Sequence, residues 1–111
     1  MNKDFEELAR NLACLYEESY KTYKQEVNYI INYHIKDINY IERTLDYIMD
    51  IYTDKGFILF LKLCTYYSTI NYQGANAYLD ILKEQRKEEY EDFVKKYSKK
   101  YWFFNYYLLS L

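Results

Sequence analysis

Large apolar side chains recur at alternating steps of three and four along the first thirty residues: Phe5, Leu8, Leu12, Leu15/Tyr16, Tyr20, Tyr23, Val27 and Ile30/Ile31. Lys3, Glu7, Glu18, Lys21 and Gln25 fall on the opposite side. That period predicts an amphipathic helix with one face toward a core. Asp4, with Glu7 three residues on, is placed to cap its start. The alternation continues through His34, Ile38, Ile41, Leu45, Ile48 and Tyr52, and no Gly or Pro interrupts residues 1–55. One unbroken helix of that length would run ~75 Å at ~1.5 Å per residue, against an expected radius of gyration of ~13 Å for a chain of this size. A break near His34–Asp37, with Asp37 capping the next helix, resolves the conflict. The alternative is a protruding helix covered by a second copy.

The pattern changes at Phe57–Ile70, where Lys62 is the only charge and apolar residues cover nearly every side. A helix that is apolar all round belongs inside, and fourteen residues fall short of the ~20 needed to span a bilayer. Gly56, after Asp54 and Lys55, is expected to take the left-handed conformation that ends the second helix at about residue 54. Asn71-Tyr72-Gln73-Gly74 reads as a turn. Amphipathic spacing resumes from Ala75 or Asn76 through Tyr78, Leu79, Leu82, Arg86, Glu89/Tyr90, Phe93 and Tyr97. The end Lys99–Leu111 is rich in aromatic and aliphatic residues and is expected to dock as a final short helix. Together these elements predict a single all-α domain over residues 1–111, a small bundle of four to five helices around a central apolar helix at about 57–72.

Composition supports that picture. The 111 residues include no Pro and two Gly, half are hydrophobic and 29% are charged, which suits long helices joined by short turns. Tyr is in excess, with 17 residues. Tyr, Lys, Ile and Asn all use A/T-rich codons, which accounts for abundance but not for position. Residues 1–54 hold 6 basic and 11 acidic side chains, net −5, and residues 55–111 hold 9 and 6, net +3. Cys14 and Cys64 both occupy apolar-periodic positions and read as small buried hydrophobes, without a metal-type spacing. The acidic N-terminal segment lacks the pattern of a signal peptide, so the expected location is cytoplasmic.

No constellation in this sequence points to catalysis. His34 is the only histidine, and its place in line with Ile30, Ile38 and Ile41 fits a core edge or a helix break. The acidic pairs are adjacent in sequence and point about 100° apart on a helix. The Glu-x-x-His motif of bundle metal sites is missing, as is a Gly-rich phosphate loop. The expectation is a protein without enzymatic activity, cofactor or metal.

Binding chemistry is better represented. Tyr33, Tyr40 and Tyr47 recur every seven residues, and Tyr16, Tyr20, Tyr23 and Tyr29 extend the aromatic surface. Tyr combines large contact area, low rotamer entropy and a polar tip, which enriches it at protein interfaces. Tyr29, Tyr33, Tyr40 and Tyr47 are therefore candidate anchors for a host protein. Glu42, Asp46 and Asp50 are positioned to meet a basic surface such as the groove of a nucleic-acid-binding effector. The corresponding function is steric inhibition of a host defence protein by a phage or mobile-element accessory protein, of the anti-CRISPR type. A second reading assigns nucleic-acid binding to the basic-aromatic end, Lys95, Lys96, Lys99, Lys100, Tyr101 and Trp102, where lysines neutralise phosphates and rings stack on bases. A third is a self-associating helical structural protein, with the 5–52 pattern as the seam of a homodimer.

Overall fold

The computed structural model describes residues 2–97, with side chains from Lys3 to Lys96. The fold is all-α, a small bundle of five helices with no strand among the described residues: α1 Asn2–Asn32, α2 Ile38–Met49, α3 Asp54–Ser68, α4 Tyr72–Gln85 and α5 Lys87–Tyr97. The segment Lys99–Leu111, read from the sequence as a final short helix, lies outside the described residues. By its internal contacts the chain groups into two units, residues 1–59 and 60–111, and α3 runs through the boundary.

In the first unit α1 and α2 form a hairpin. Tyr40 meets Glu26, Tyr47 meets Tyr23, and Tyr52 beyond α2 meets Tyr16. Partner numbers fall as α2 advances, so the helices are antiparallel. The break between them falls where residues 33–37 predict it. His34 N–H donates to the Ile31 carbonyl and Ile35 N–H to the Ile30 carbonyl, the paired bonds of a Schellman motif. His34 occupies its left-handed position with φ 52°, a place usually filled by glycine. Asp37 then caps α2, its carboxylate accepting from Tyr40 N–H at 3.3 Å. Val27, Ile30, Ile41, Leu45, Ile48, Met49, Ile51, Phe57 and Leu59 are buried in this unit, each large apolar side chain contributing ~1.5–3 kcal/mol.

The opening of the chain departs from expectation. α1 starts at Asn2, so Asp4 sits inside the first turn rather than before it. Its first half does not face a core: Phe5 is 74% exposed, Leu8 65%, Leu12 47% and Leu15 62%. The reason is length. α1 has 31 residues and α2 only 12, about 46 Å against 18 Å at ~1.5 Å per residue, so the hairpin covers α1 from about Tyr16 onward. Cys14, also expected inside, is exposed.

The second helix ends at Met49, five residues short of the expected position. Thr53 explains the difference: its hydroxyl accepts from Gly56 N–H at 3.1 Å and its carbonyl from Phe57 N–H at 3.0 Å, so the segment opens α3 instead of closing α2. Asp54 in the first turn suits the positive end of that helix. Gly56 accordingly has no positive φ. Its hydrogen side is needed for close approach, since a Cβ would lie 2.6 Å from the Ile51 carbonyl oxygen and 2.7 Å from Ile51 Cγ2.

In the second unit Phe60, Leu61, Leu63, Cys64 and Tyr67 of α3 are buried with Ala75, Leu79 and Leu82 of α4 and Phe93 of α5. Cys64 Sγ donates to the Ala75 carbonyl at 3.2 Å. α4 begins at Tyr72, earlier than the spacing predicts, because Asn71 caps it by accepting from Gly74 N–H at 3.0 Å. The predicted continuous helix through residues 75–97 is instead two helices parted at Arg86. Arg86 occupies an apolar slot of the pattern and is 5% exposed. A buried guanidinium requires an acceptor, and its Nε donates to the Glu89 carboxylate. The backbone there leaves helical geometry, with φ −128° and ψ 49°.

Candidate functional site

The α1–α2 hairpin gathers the tyrosines that the sequence distributes over a seven-residue interval. Because the chain reverses at His34, Tyr33, Tyr40 and Tyr47 do not form a stripe along one continuous helix. They converge across the hairpin with Tyr23 and Tyr29. The Tyr29 and Tyr33 rings lie 5.0 Å apart at 41°, and Tyr23 stacks on Tyr47 at 5.4 Å and 17°. Such ring pairs stabilise by ~0.5–1.5 kcal/mol beyond burial, and here they hold large side chains rigid while leaving them in water. Tyr33 is 70% exposed, and Tyr29 and Tyr47 are about half exposed.

Glu26 is the polar centre of this cluster. It occupies the inward side of α1 between Tyr23 and Ile30, and its carboxylate accepts from the Tyr40 hydroxyl. That hydrogen bond, with burial and the Glu26 charge adding to it, pushes the Tyr40 phenol up to about 12. Tyr23 is also raised, first by burial and then by Tyr47 and Glu26. Both phenols therefore remain neutral donors across the physiological range. The Arg43 guanidinium lies 5.9 Å from the centre of the Tyr40 ring, a cation–π distance. Two shallow grooves adjoin. One of about 310 Å³ is lined by Thr22, Tyr23, Glu26, Tyr40, Arg43, Thr44 and Tyr47, and the other, about 490 Å³, by Gln25, Glu26, Tyr29 and Tyr40.

Of the predicted acids, Asp46 and Asp50 are exposed and Glu42 is half-buried. At ~100° per residue Asp50 falls ~80° from the Tyr40 direction on α2, Asp46 ~120° and Glu42 ~160°. Asp50 and Asp46 therefore border the tyrosine face, while Glu42 sits on the far flank of the helix. Asp46 is in the last turn of α2, Asp50 is its C-terminal cap, and that turn holds no basic residue. Carboxylates at the negative end of a helix are disfavoured by ~0.3–1 kcal/mol, so their placement is not explained by α2's own stability.

Sequence reasoning missed Glu26, Arg43 and the two threonines. A carboxylate in a core-facing slot of an otherwise apolar-aromatic pattern was the available signal for Glu26. Of the basic-aromatic candidates, Lys95 and Lys96 are exposed in the last turn of α5, where the helix dipole favours cations. Lys99, Lys100, Tyr101 and Trp102 lie outside the described residues. Among the described residues there is no group of three metal-ligating side chains and no helix long and apolar enough to cross a membrane. No protein-family model matches the chain, and no curated protein or solved structure shows significant similarity to it.

Proposed function

We propose that this chain is a non-enzymatic protein-binding module whose working surface is the tyrosine face of the α1–α2 hairpin. One observation carries the reading: Tyr29, Tyr33 and Tyr47 are substantially exposed yet fixed by ring pairing, next to carboxylates that their own helix disfavours. Rigid aromatic anchors with grooves between them are what a protein interface uses as hot spots. Asp46 and Asp50 add negative charge that steers the face toward a basic surface. A nucleic-acid groove of a host defence effector is such a surface. Occluding it would make the protein an inhibitor of the anti-CRISPR type, suited to a phage or mobile element.

The test is capture from a lysate of the native host with tagged protein, run with and without nuclease. A parallel pair of variants carries Tyr29, Tyr33 and Tyr47 as Ala, or Lys95, Lys96, Lys99 and Lys100 as Gln. The reading expects a protein that survives nuclease, is lost with the tyrosine variant and is kept by the lysine variant. Capture that disappears with nuclease and with the lysine variant would transfer the function to nucleic-acid binding. Salt reinforces the distinction, because counterion release makes phosphate binding fall steeply with ionic strength.

A further inference from the structure

The first half of α1 carries a second surface, separate from the tyrosine face. Phe5, Leu8, Leu12 and Leu15 are exposed along one side of the helix. Their directions on α1 lie within ~80° of one another at ~100° per residue. The charged residues Lys3, Glu6, Glu7, Arg10 and Glu17 lie on the other side, as does Cys14. The strip exposes roughly 400 Å² of apolar surface, the size of the largest apolar patch on a typical soluble monomer, which is often functional.

The spacing of this strip selects its occupant. The steps from Phe5 to Leu15 are three, four and three, so the pattern reads the same from either end and is centred on position 10. Two such helices laid antiparallel about a two-fold axis at that point place Phe5 opposite Leu15 of the second copy, and Leu8 opposite Leu12. Every large apolar side chain then meets another, the self-complementarity that an isologous contact requires. At the centre the flanking residues are uncharged: Ala9 faces Ala9 of the second copy on one side, and Asn11 faces Asn11 on the other. A parallel pair would bring both α2 segments to the same end of the contact, whereas the antiparallel pair carries them to opposite ends. From these relations we infer that the exposed strip of α1 is the seam of an antiparallel homodimer, overlapping over about residues 5–15.

Its strength follows from its size and charge. A standard interface buries ~800 Å² per partner. The four apolar side chains supply about half of that, and Ala9 and Asn11 at the rims add to it. At the ends Asp4 of one copy approaches Glu18 of the other, a like-charge pair that added salt relieves. The dimer is therefore reversible and dissociates at low micromolar protein.

Sedimentation velocity of the full chain, from about 1 to about 500 µM, measures this directly. The expected result is a concentration-dependent shift from monomer to dimer, strengthened by salt. Leu8→Lys with Leu12→Lys should leave a monomer at every concentration, with circular dichroism confirming that the remaining helices are folded. Ala9→Cys in a Cys14→Ser background, mildly oxidised, should form a disulfide-linked dimer, because only the antiparallel pair apposes position 9 with itself. A wild-type monomer throughout, assemblies larger than a dimer, or cross-linking that fails while dimers form would each overturn the inference. So would adsorption of α1 to phosphatidylglycerol vesicles with no self-association, which would make the strip a lipid-facing surface. Because the seam excludes Tyr29, Tyr33 and Tyr47, its failure leaves the tyrosine-face reading intact, and the converse also holds.

Discussion

The Tyr40 hydroxyl donates its hydrogen bond to the carboxylate of Glu26, fourteen residues earlier and on the facing helix of the hairpin. This cross-link joins the antiparallel helices at the point where the exposed tyrosines gather. It makes the candidate interface part of the folded hairpin rather than a set of loose side chains.

That bond has a pH signature. Tyr40 titrates near 12 in the folded protein against an ordinary value of 10.0. Its stabilising contribution is therefore complete below pH 10.0 and declines as pH rises toward 12, where the folded state too loses the phenolic proton. Ring-carbon NMR of labelled tyrosine should show Tyr40 among the last to ionise. Glu26→Gln should bring it back toward 10.0, since the carboxylate's hydrogen bond is the leading cause of the shift. An unmoved titration would mean that burial alone sets it.

His34 holds a left-handed backbone conformation, which costs a non-glycine residue ~1–2 kcal/mol. His34→Gly should raise unfolding stability by ~0.5–1 kcal/mol after the greater entropy of the unfolded glycine chain is set against it. Urea denaturation reads the difference. His34→Ala should give no such gain, so equal effects of the two changes would show that loss of the imidazole matters more than the backbone.

Gly56→Ala tests the opposite kind of glycine. Alanine favours a helix by ~1 kcal/mol over glycine, yet here its methyl would meet the Ile51 carbonyl oxygen at 2.6 Å. Backbone cannot yield as a flexible side chain can, so a net loss of ~1–3 kcal/mol is expected. A gain in the denaturation midpoint would contradict the close approach of Ile51.

On the tyrosine face, Tyr33→Ala and Tyr47→Ala should each weaken partner binding by roughly tenfold to a hundredfold, the range of an aromatic anchor. Tyr33→Ala should lower stability by no more than the ~0.5–1.5 kcal/mol of its ring pair with Tyr29, because the side chain is otherwise exposed. Titration calorimetry on the captured partner measures the first effect and urea denaturation the second. Intact binding by both variants would remove this face from the function.

The features legible in the sequence are those whose physics acts over a few residues. Asp37 capping α2 is a side chain reaching an amide three positions on, and the all-apolar run from Phe57 can only be an inner helix. Other features depend on distant partners. The period through Leu82, Arg86 and Phe93 continues unbroken, and the non-helical backbone of Arg86, with its guanidinium buried against Glu89, shows only in the fold. Thr53 opens α3 through bonds to Gly56 N–H and Phe57 N–H, which the residue type signals less plainly than a glycine signals a helix end. The tyrosine interval of seven implies a stripe along one helix, whereas the fold brings these residues together across the hairpin. Their convergence depends on which turns of α1 lie opposite α2, and Glu26 acquires its role only in that register.

α1 also differs in kinetics from end to end. A free segment of about fourteen residues is a marginal helix in water, because nucleating the first turn is costly. Here the packed turns from Tyr16 to Asn32 supply the nucleus, and the segment toward Asn2 grows from it one hydrogen bond at a time. Amides of the first half should therefore exchange with solvent far faster than those around Val27 and Ile30, in a gradient that rises toward the N-terminus. Pairing of two copies along Phe5–Leu15 would flatten that gradient as protein concentration rises, turning a fraying end into a reporter of assembly.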